Sequence, residues 1–201
     1  MKTALITCGA LGKEVLAIVK KYGWDADIVG ITAQHHLFPD RITPAVEARL
    51  LALREQYDQV FAVYGDCGTY GVLDQVLQKY NIQRITGAHC YEFYGGAHFQ
   101  QWMEEEPGTF FLTDFLVRTF DRTIVKSMGL DRHPELKHDY FRNYRRVIYL
   151  AQSPDEGLME KAREAAAYLE LPLQIKQTGY NQLESQLVSW MAAEQCQERS
   201  A

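Results

Sequence analysis

QVFAVYGDCGTYG, residues 59–71, decides how this chain is read. Gln59 to Tyr64 is a compact run rich in apolar and β-branched residues, the pattern of a buried strand. Gly65, Gly68 and Gly71 follow at close spacing and permit a tight turn out of the strand. A helical spacing begins near Tyr70 and runs to about Tyr80. The stretch therefore reads as strand, glycine turn, helix, with Cys67 where the strand ends.

The same unit repeats on either side. Thr3 to Thr7 reads as a first strand, and Leu11, Val15, Ile18 and Val19 space a helix ending near Tyr22. Asp27 to Thr32 is a second strand, followed by a loop broken at Pro39. Thr43 can cap the next helix with Pro44 at its first position, and Val46, Leu50, Leu51 and Leu53 carry its buried stripe. Ile82 to Thr86 is a fourth strand. Further on, Thr109 to Thr113, Arg146 to Ala151 and Leu173 to Gln177 read as strands. Helices are expected from Asp114 to near Gly129, over Glu156 to Leu169 and over Leu183 to Met191. Alternating strands and helices predict an α/β, Rossmann-like, open and mostly parallel sheet with helices on both faces. We expect one domain over 1–201, with an aromatic-rich insertion over 91–144 and a frayed tail over 192–201.

The chain has 201 residues, 47% hydrophobic and 23% charged, an ordinary composition for a packed domain. Its net charge of −5 argues against a nucleic-acid partner. No apolar run reaches the roughly 18–20 residues that cross a bilayer, so no membrane partner is expected. MKTALITCGALG has too short an apolar stretch for a signal peptide, which predicts a cytoplasmic protein. In a reducing compartment, cysteines serve metal or redox chemistry more often than structural disulfides.

Three cysteines follow three strand-like runs: Cys8, Cys67 and Cys90. Ligands in open α/β sheets collect outside the carboxyl ends of the strands, so these thiols are expected to converge. Three soft donors suit zinc or a [4Fe–4S] cluster with a further position left open. The alternative is that each is a small buried hydrophobe. Around Cys67, Gly65 and Gly68 allow close backbone approach, and Asp66 can orient a ligand or accept a proton. CGALGKE has Gly9 and Gly12 but lacks the full dinucleotide fingerprint, leaving a nucleotide- or S-adenosylmethionine-binding transferase as an alternative. In GLDRHPELKHDYFRNYRR, His133 is a candidate fourth ligand or general acid, Asp131 or Glu135 can fix its tautomer, and Arg132 can clamp an anion. Tyr91, His98 and Asp114 complete the candidate substrate-binding set, although capping a helix is the cheaper role for Asp114. His35 and His36 read as loop residues. Cys196, in the tail, receives no role.

CGAL, YGDCG, CYEFYGG, PGTFFLTDFL, GLDRHPEL and YFRNYRRVIYLAQ, in this order over roughly residues 5–170, resemble the bacterial and archaeal family filed as domain of unknown function 1638. The family name carries no established activity. Its members are described beside corrinoid-dependent methyltransferases, so the resemblance implies a part in corrinoid- or folate-linked one-carbon transfer. The expected function is a metal-dependent enzyme acting on a small substrate. A non-catalytic module that holds metal or docks on a corrinoid protein or methyltransferase is the main alternative. A homo-oligomer remains open.

Overall fold

A computed structural model describes residues 2–198. In chain order the elements are β1 (Thr3–Cys8), α1 (Gly12–Tyr22), β2 (Ala26–Ile31), α2 (Ile42–Leu53), β3 (Gln59–Val63), α3 (Val72–Lys79), α4 (Cys90–Gly95), α5 (Ala97–Glu105), β4 (Thr109–Thr113), α6 (Asp114–Phe120), α7 (Leu136–Phe141), β5 (Arg146–Ala151), α8 (Glu156–Leu169), β6 (Leu173–Gln177) and α9 (Asn181–Glu198). The fold is α/β with open, parallel sheets, as the strand–helix alternation predicts.

The strands form two three-stranded sheets, ordered β2-β1-β3 and β4-β5-β6. The expected fourth strand explains the break. Within Ile82–Thr86 only Arg84 makes a bridge, to Ala62, so the first sheet ends there. β4 pairs with β5 instead. The 91–144 segment thus contributes a strand of the second sheet. The chain divides accordingly into two compact units. The first gathers residues up to Phe93 with those from Gln182 onward, and the second runs Tyr94–Asn181.

In the first unit β1 is central and all six of its residues are buried. α1 packs Val15, Ile18 and Val19 inward. It ends at Gly23, whose φ of 64° lets the Gly23 and Trp24 N–H groups reach the Lys20 and Val19 carbonyls. The cap predicted at Thr43 is not used. A 3₁₀ turn over Pro39–Arg41 leads straight into α2, which leaves Thr43 buried in its first turn. α9 contributes Leu183, Leu187 and Trp190 to the core, and Trp190 stacks on Phe61 with centroids 4.8 Å apart. It continues through Glu198. The rest of the expected frayed tail lies outside the described residues.

In the second unit Leu112, Val147, Tyr149 and Ala151 from the sheet meet Leu158, Ala162, Ala165, Ala166 and Leu169 of α8. The alanines let the helix approach the sheet closely, and each larger apolar side chain buried there stabilises by about 1.5–3 kcal/mol. Asp155 caps α8, its carboxylate accepting from the Leu158 N–H at 3.1 Å. α6 passes into a π-helical turn, Asp121–Lys126. There Thr119, Thr123 and Ser127 donate to carbonyls four residues back, competition that loosens regular α geometry. Among the described residues no helix is long and apolar enough to cross a membrane.

Candidate functional site

Cys8 is the last residue of β1 and 3% exposed. The β1–β3 register ends at Thr7 opposite Val63, which makes Tyr64 the next cross-strand neighbour of Cys8. Gly9 must be small, because a Cβ there would stand 3.0 Å from the Ile31 carbonyl, which its own N–H meets at 2.7 Å. The turn folds back on the thiol, and the Ala10 N–H reaches Cys8 Sγ at 3.4 Å. The glycine turn is therefore engaged with the chain's own sulfur and carbonyls.

Cys67 sits in a loop with unusual backbone. Its φ is 50° and that of Tyr70 is 53°, left-handed values that non-glycine residues rarely adopt. Such conformations persist only where their surroundings enforce them, and they cluster at functional sites. Here Asp66 enforces them. Its carboxylate accepts from the Thr69 hydroxyl and from the Tyr70 and Gly71 N–H groups, both at 3.0 Å. Burial acts to raise the Asp66 carboxyl, but these donors and Arg84 outweigh it and hold the group below the usual range. Asp66 is thus occupied with the loop.

Cys90 opens α4, and the backbone holds its segment against the Cys67 loop. The Cys67 N–H donates to the Ala88 carbonyl at 2.7 Å, and Asp66 N–H to Gly87 at 3.3 Å. A Cβ on Gly65 would meet the Ala88 carbonyl at 3.0 Å and His89 Cα at 3.1 Å. The predicted need for close approach at Gly65 is met by the chain's own backbone. Arg84 supports the connection, pairing with Asp74 at 2.5 and 2.9 Å and donating to the Ile85 and Gly87 carbonyls.

The three thiols lie within electrostatic range of one another. All are free. Burial, and then proximity to Cys8, pushes Cys67 up to about 12. Cys90 is raised by burial, by Cys67 and Cys8, and by Glu14. Burial raises Cys8, against the pull of the Ala10 N–H, the Tyr64 hydroxyl and the Leu11 N–H. Without a cation these thiols stay protonated at neutral pH. Among the described residues, no three or more His, Cys, Asp or Glu side chains form a group placed to hold a metal ion, and Cys8, Cys67 and Cys90 are no exception.

Two further residues of this site carried no signal in the sequence. Tyr64 is fully buried, and its hydroxyl approaches Cys8 without making a hydrogen bond of ordinary geometry. Glu14, in the first turn of α1, is 3% exposed. A buried tyrosine at a strand end reads as core, and an acidic residue in a first helical turn reads as a response to the helix dipole. Only the fold brings them within electrostatic range of the thiols.

The other candidates have neighbours of their own. His133 Nδ1 lies 3.2 Å from Glu135, and Asp131 3.9 Å from Arg132, all on an exposed segment of the second unit, whereas the thiols belong to the first. His98, exposed on α5, stacks on Trp102. Tyr91 is half-buried with its ring 5.1 Å from His89. Gly68, at φ 85°, packs beside Pro39. Asp114 is buried and caps nothing. Thr113 is the cap of α6, accepting from the Leu116 N–H, while Asp114 accepts from Tyr149, Gln152, Ser153 and Arg118.

No curated protein matches this chain. A family match covers residues 31–187, which includes Cys67 and Cys90 and leaves Cys8 outside. The match spans most of the chain and takes in every motif that carries the sequence resemblance except CGAL. The chain belongs to the family described as "Protein of unknown function (DUF1638)".

Proposed function

We propose that the first unit holds a soft metal ion or an iron–sulfur cluster on Cys8, Cys67 and Cys90 and uses it on a small substrate. One observation carries the reading: Cys8 ends β1, Cys67 follows β3, and the segment before Cys90 is hydrogen-bonded to the Cys67 loop, so the three thiols come within electrostatic range beside a buried hydroxyl that lacks a proper acceptor. The donor set fits the group. Three sulfurs suit zinc or a [4Fe–4S] cluster and are poor ligands for magnesium or calcium. Bound there, such a group supplies Lewis acidity at an open position.

The chain's own residues prepare the place. A cation displaces the protons that the crowded thiols now retain. Tyr64 then donates to the Cys8 sulfur, alongside the Ala10 N–H. Asp66 keeps the Cys67 loop in its left-handed form, and Gly65 keeps the Cys90 segment close. Glu14 brings a buried carboxylate into the same field as a proton acceptor. A labile thiol site of this kind suits the cytoplasm. The family resemblance suggests a substrate in corrinoid- or folate-linked one-carbon metabolism.

Metal and acid-labile sulfide analysis of anaerobically purified protein tests this. We expect one zinc, or one four-iron cluster, per chain, and loss of most of it when any one of the three cysteines becomes serine. Anaerobic protein that is metal-free and also fails to take up Zn²⁺ or Co²⁺ stoichiometrically overturns the reading.

A second reading, an accessory module that docks on a corrinoid protein, has one observation in its favour. Tyr70 is 92% exposed on the Cys67 loop, and Leu37, Phe38 and Val72 are also exposed. Substituting Tyr70 by serine separates the two: it abolishes docking in one and leaves metal content unchanged in both.

A further inference from the structure

The second unit contains a groove of about 640 Å³, within the size range of small-molecule sites, that plays no part in the thiol chemistry. It lies at the carboxyl end of β6, reaching Thr178 just past the strand, the position where open parallel sheets bind ligands. His98 and Trp102, one turn apart on α5, form an aromatic wall, with ring centroids 5.8 Å apart and planes inclined by 23°. Behind Trp102 stands Phe111, centroid to centroid 6.5 Å.

The charges in the groove do not balance. Its carboxylate, Glu105, already faces Arg146 at 3.6 Å and accepts from Gln101 at 2.9 Å. Its cation, Lys176, makes no ion pair among the described residues, and its ammonium rests 5.9 Å from the Trp102 ring centroid. A lysine resting on an aromatic ring at an exposed site is held weakly and leaves readily for an anion. Trp102 then offers its face to a flat group.

We propose that this groove binds a planar aromatic anion, its ring laid along Trp102 and His98 and its acidic group on Lys176. A nucleotide phosphate and an aromatic carboxylate share this chemistry. None of the three cysteines lines the groove, so the proposal does not depend on whether they hold metal.

Indole N–H resonances in the ¹⁵N-labelled full chain test the proposal. The chain has three tryptophans, and Trp102→Phe identifies the relevant signal. AMP and 2-naphthoate are titrated separately. The proposal expects at least one of them to shift the Trp102 signal at about 1 mM while leaving the signals of Trp24 and Trp190 in place. A response to AMP alone identifies the source as nucleotide, and a response to naphthoate alone as carboxylate. Lys176→Gln weakens binding about tenfold, and ribose 5-phosphate, which lacks the ring, leaves the Trp102 signal unmoved. If neither probe moves Trp102 at about 5 mM, or if Lys176→Gln binds as tightly as the parent, the proposal fails.

Discussion

Each unit places polar side chains near the carboxyl ends of its strands, fully buried at Asp114 in the second and only partly buried at Cys67 and Cys90 in the first, and the two sets differ in how completely they are satisfied. In the second unit, Asp114 is 1% exposed and surrounded by donors: Tyr149 hydroxyl at 2.7 Å, Gln152 N–H at 3.0 Å, Ser153 hydroxyl at 2.6 Å and Arg118 at 3.4 Å. Its own N–H reaches the Gln152 side-chain oxygen at 2.7 Å. In the first unit, three thiols within electrostatic range of one another have raised proton affinity, and the Tyr64 hydroxyl has no proper acceptor. A saturated buried network is complete within the chain and specifies a structure. An unsaturated one of soft donors has room for something the chain does not supply.

Asp114→Ala tests the saturated side most severely. Four donors, those of Tyr149 and Gln152 fully buried, lose their acceptor, and we expect a loss of about 3 kcal/mol in urea unfolding, with the slope unchanged. Cys8→Ser in the metal-free protein should cost less than about 1 kcal/mol, since serine nearly matches cysteine in shape and a thiol hydrogen bond is weak. Equal losses from the two variants would erase the contrast between the clusters.

Next in size is thiol reactivity. With Cys67 pushed up to about 12 against an ordinary value of 9.0, its thiolate at pH 8 is scarce. Iodoacetamide should modify Cys67 in the metal-free native protein at least about a hundredfold more slowly than in the urea-unfolded chain. Mass spectrometry of the labelled peptides reads the result, and near-equal rates would mean that the thiols are less confined than the backbone contacts require. The same shift has a stability consequence. The folded state keeps a proton that the unfolded state gives up above about 9, so Cys67 favours the fold fully below that pH. The contribution is lost progressively as pH rises toward about 12.

Gly65→Ala sharpens the geometry of the thiol side. Its Cβ would press on the Ala88 carbonyl and His89 Cα, both backbone atoms, and overpacking of this kind costs about 1–3 kcal/mol. It should also separate the Cys90 segment from the Cys67 loop. Metal uptake should therefore fall more than stability alone explains, as judged by Co²⁺ titration at a temperature where the variant is folded.

The smallest effect belongs to the support beneath the loop. The Arg84 hydrogen bonds hold the Asp74 carboxyl below its ordinary 3.8, against the opposing effect of burial. Its stabilisation is therefore present above 3.8 and lost as pH falls through the folded value. Asp74→Asn should flatten that part of the acid unfolding profile and change little at pH 7, because half-exposed ion pairs contribute under about 1 kcal/mol.

How much of this was legible depends on the range of the interaction that decides it. The run read as Gln59 to Tyr64 forms β3 over Gln59–Val63, and β4, β5 and β6 fall over Thr109–Thr113, Arg146–Ala151 and Leu173–Gln177 as read. Each has a local apolar and β-branched pattern that matches a buried parallel strand. Ile82 to Thr86 has a similar pattern but makes a single bridge, because pairing needs a partner edge that local sequence does not reveal. At the site, Cys8 ends β1 and Cys67 follows β3 as the strand-end reading expects, whereas Cys90 opens α4, because the run before it forms no strand. Tyr64 and Glu14 had no such marker. Asp114 read as a helix cap, because nothing near it in the chain announces Tyr149 or Ser153.

By itself the amino-acid order determined the parallel α/β character, the glycine turns and the soft donor atoms that the first unit holds. All of these depend on side-chain period or backbone freedom within a few residues. The tertiary structure alone decided where the first sheet stops, which polar residues are satisfied and which stand open, and which side chains join the thiols. Those outcomes depend on contacts between distant segments, and the free energy of such contacts is defined only once the segments meet.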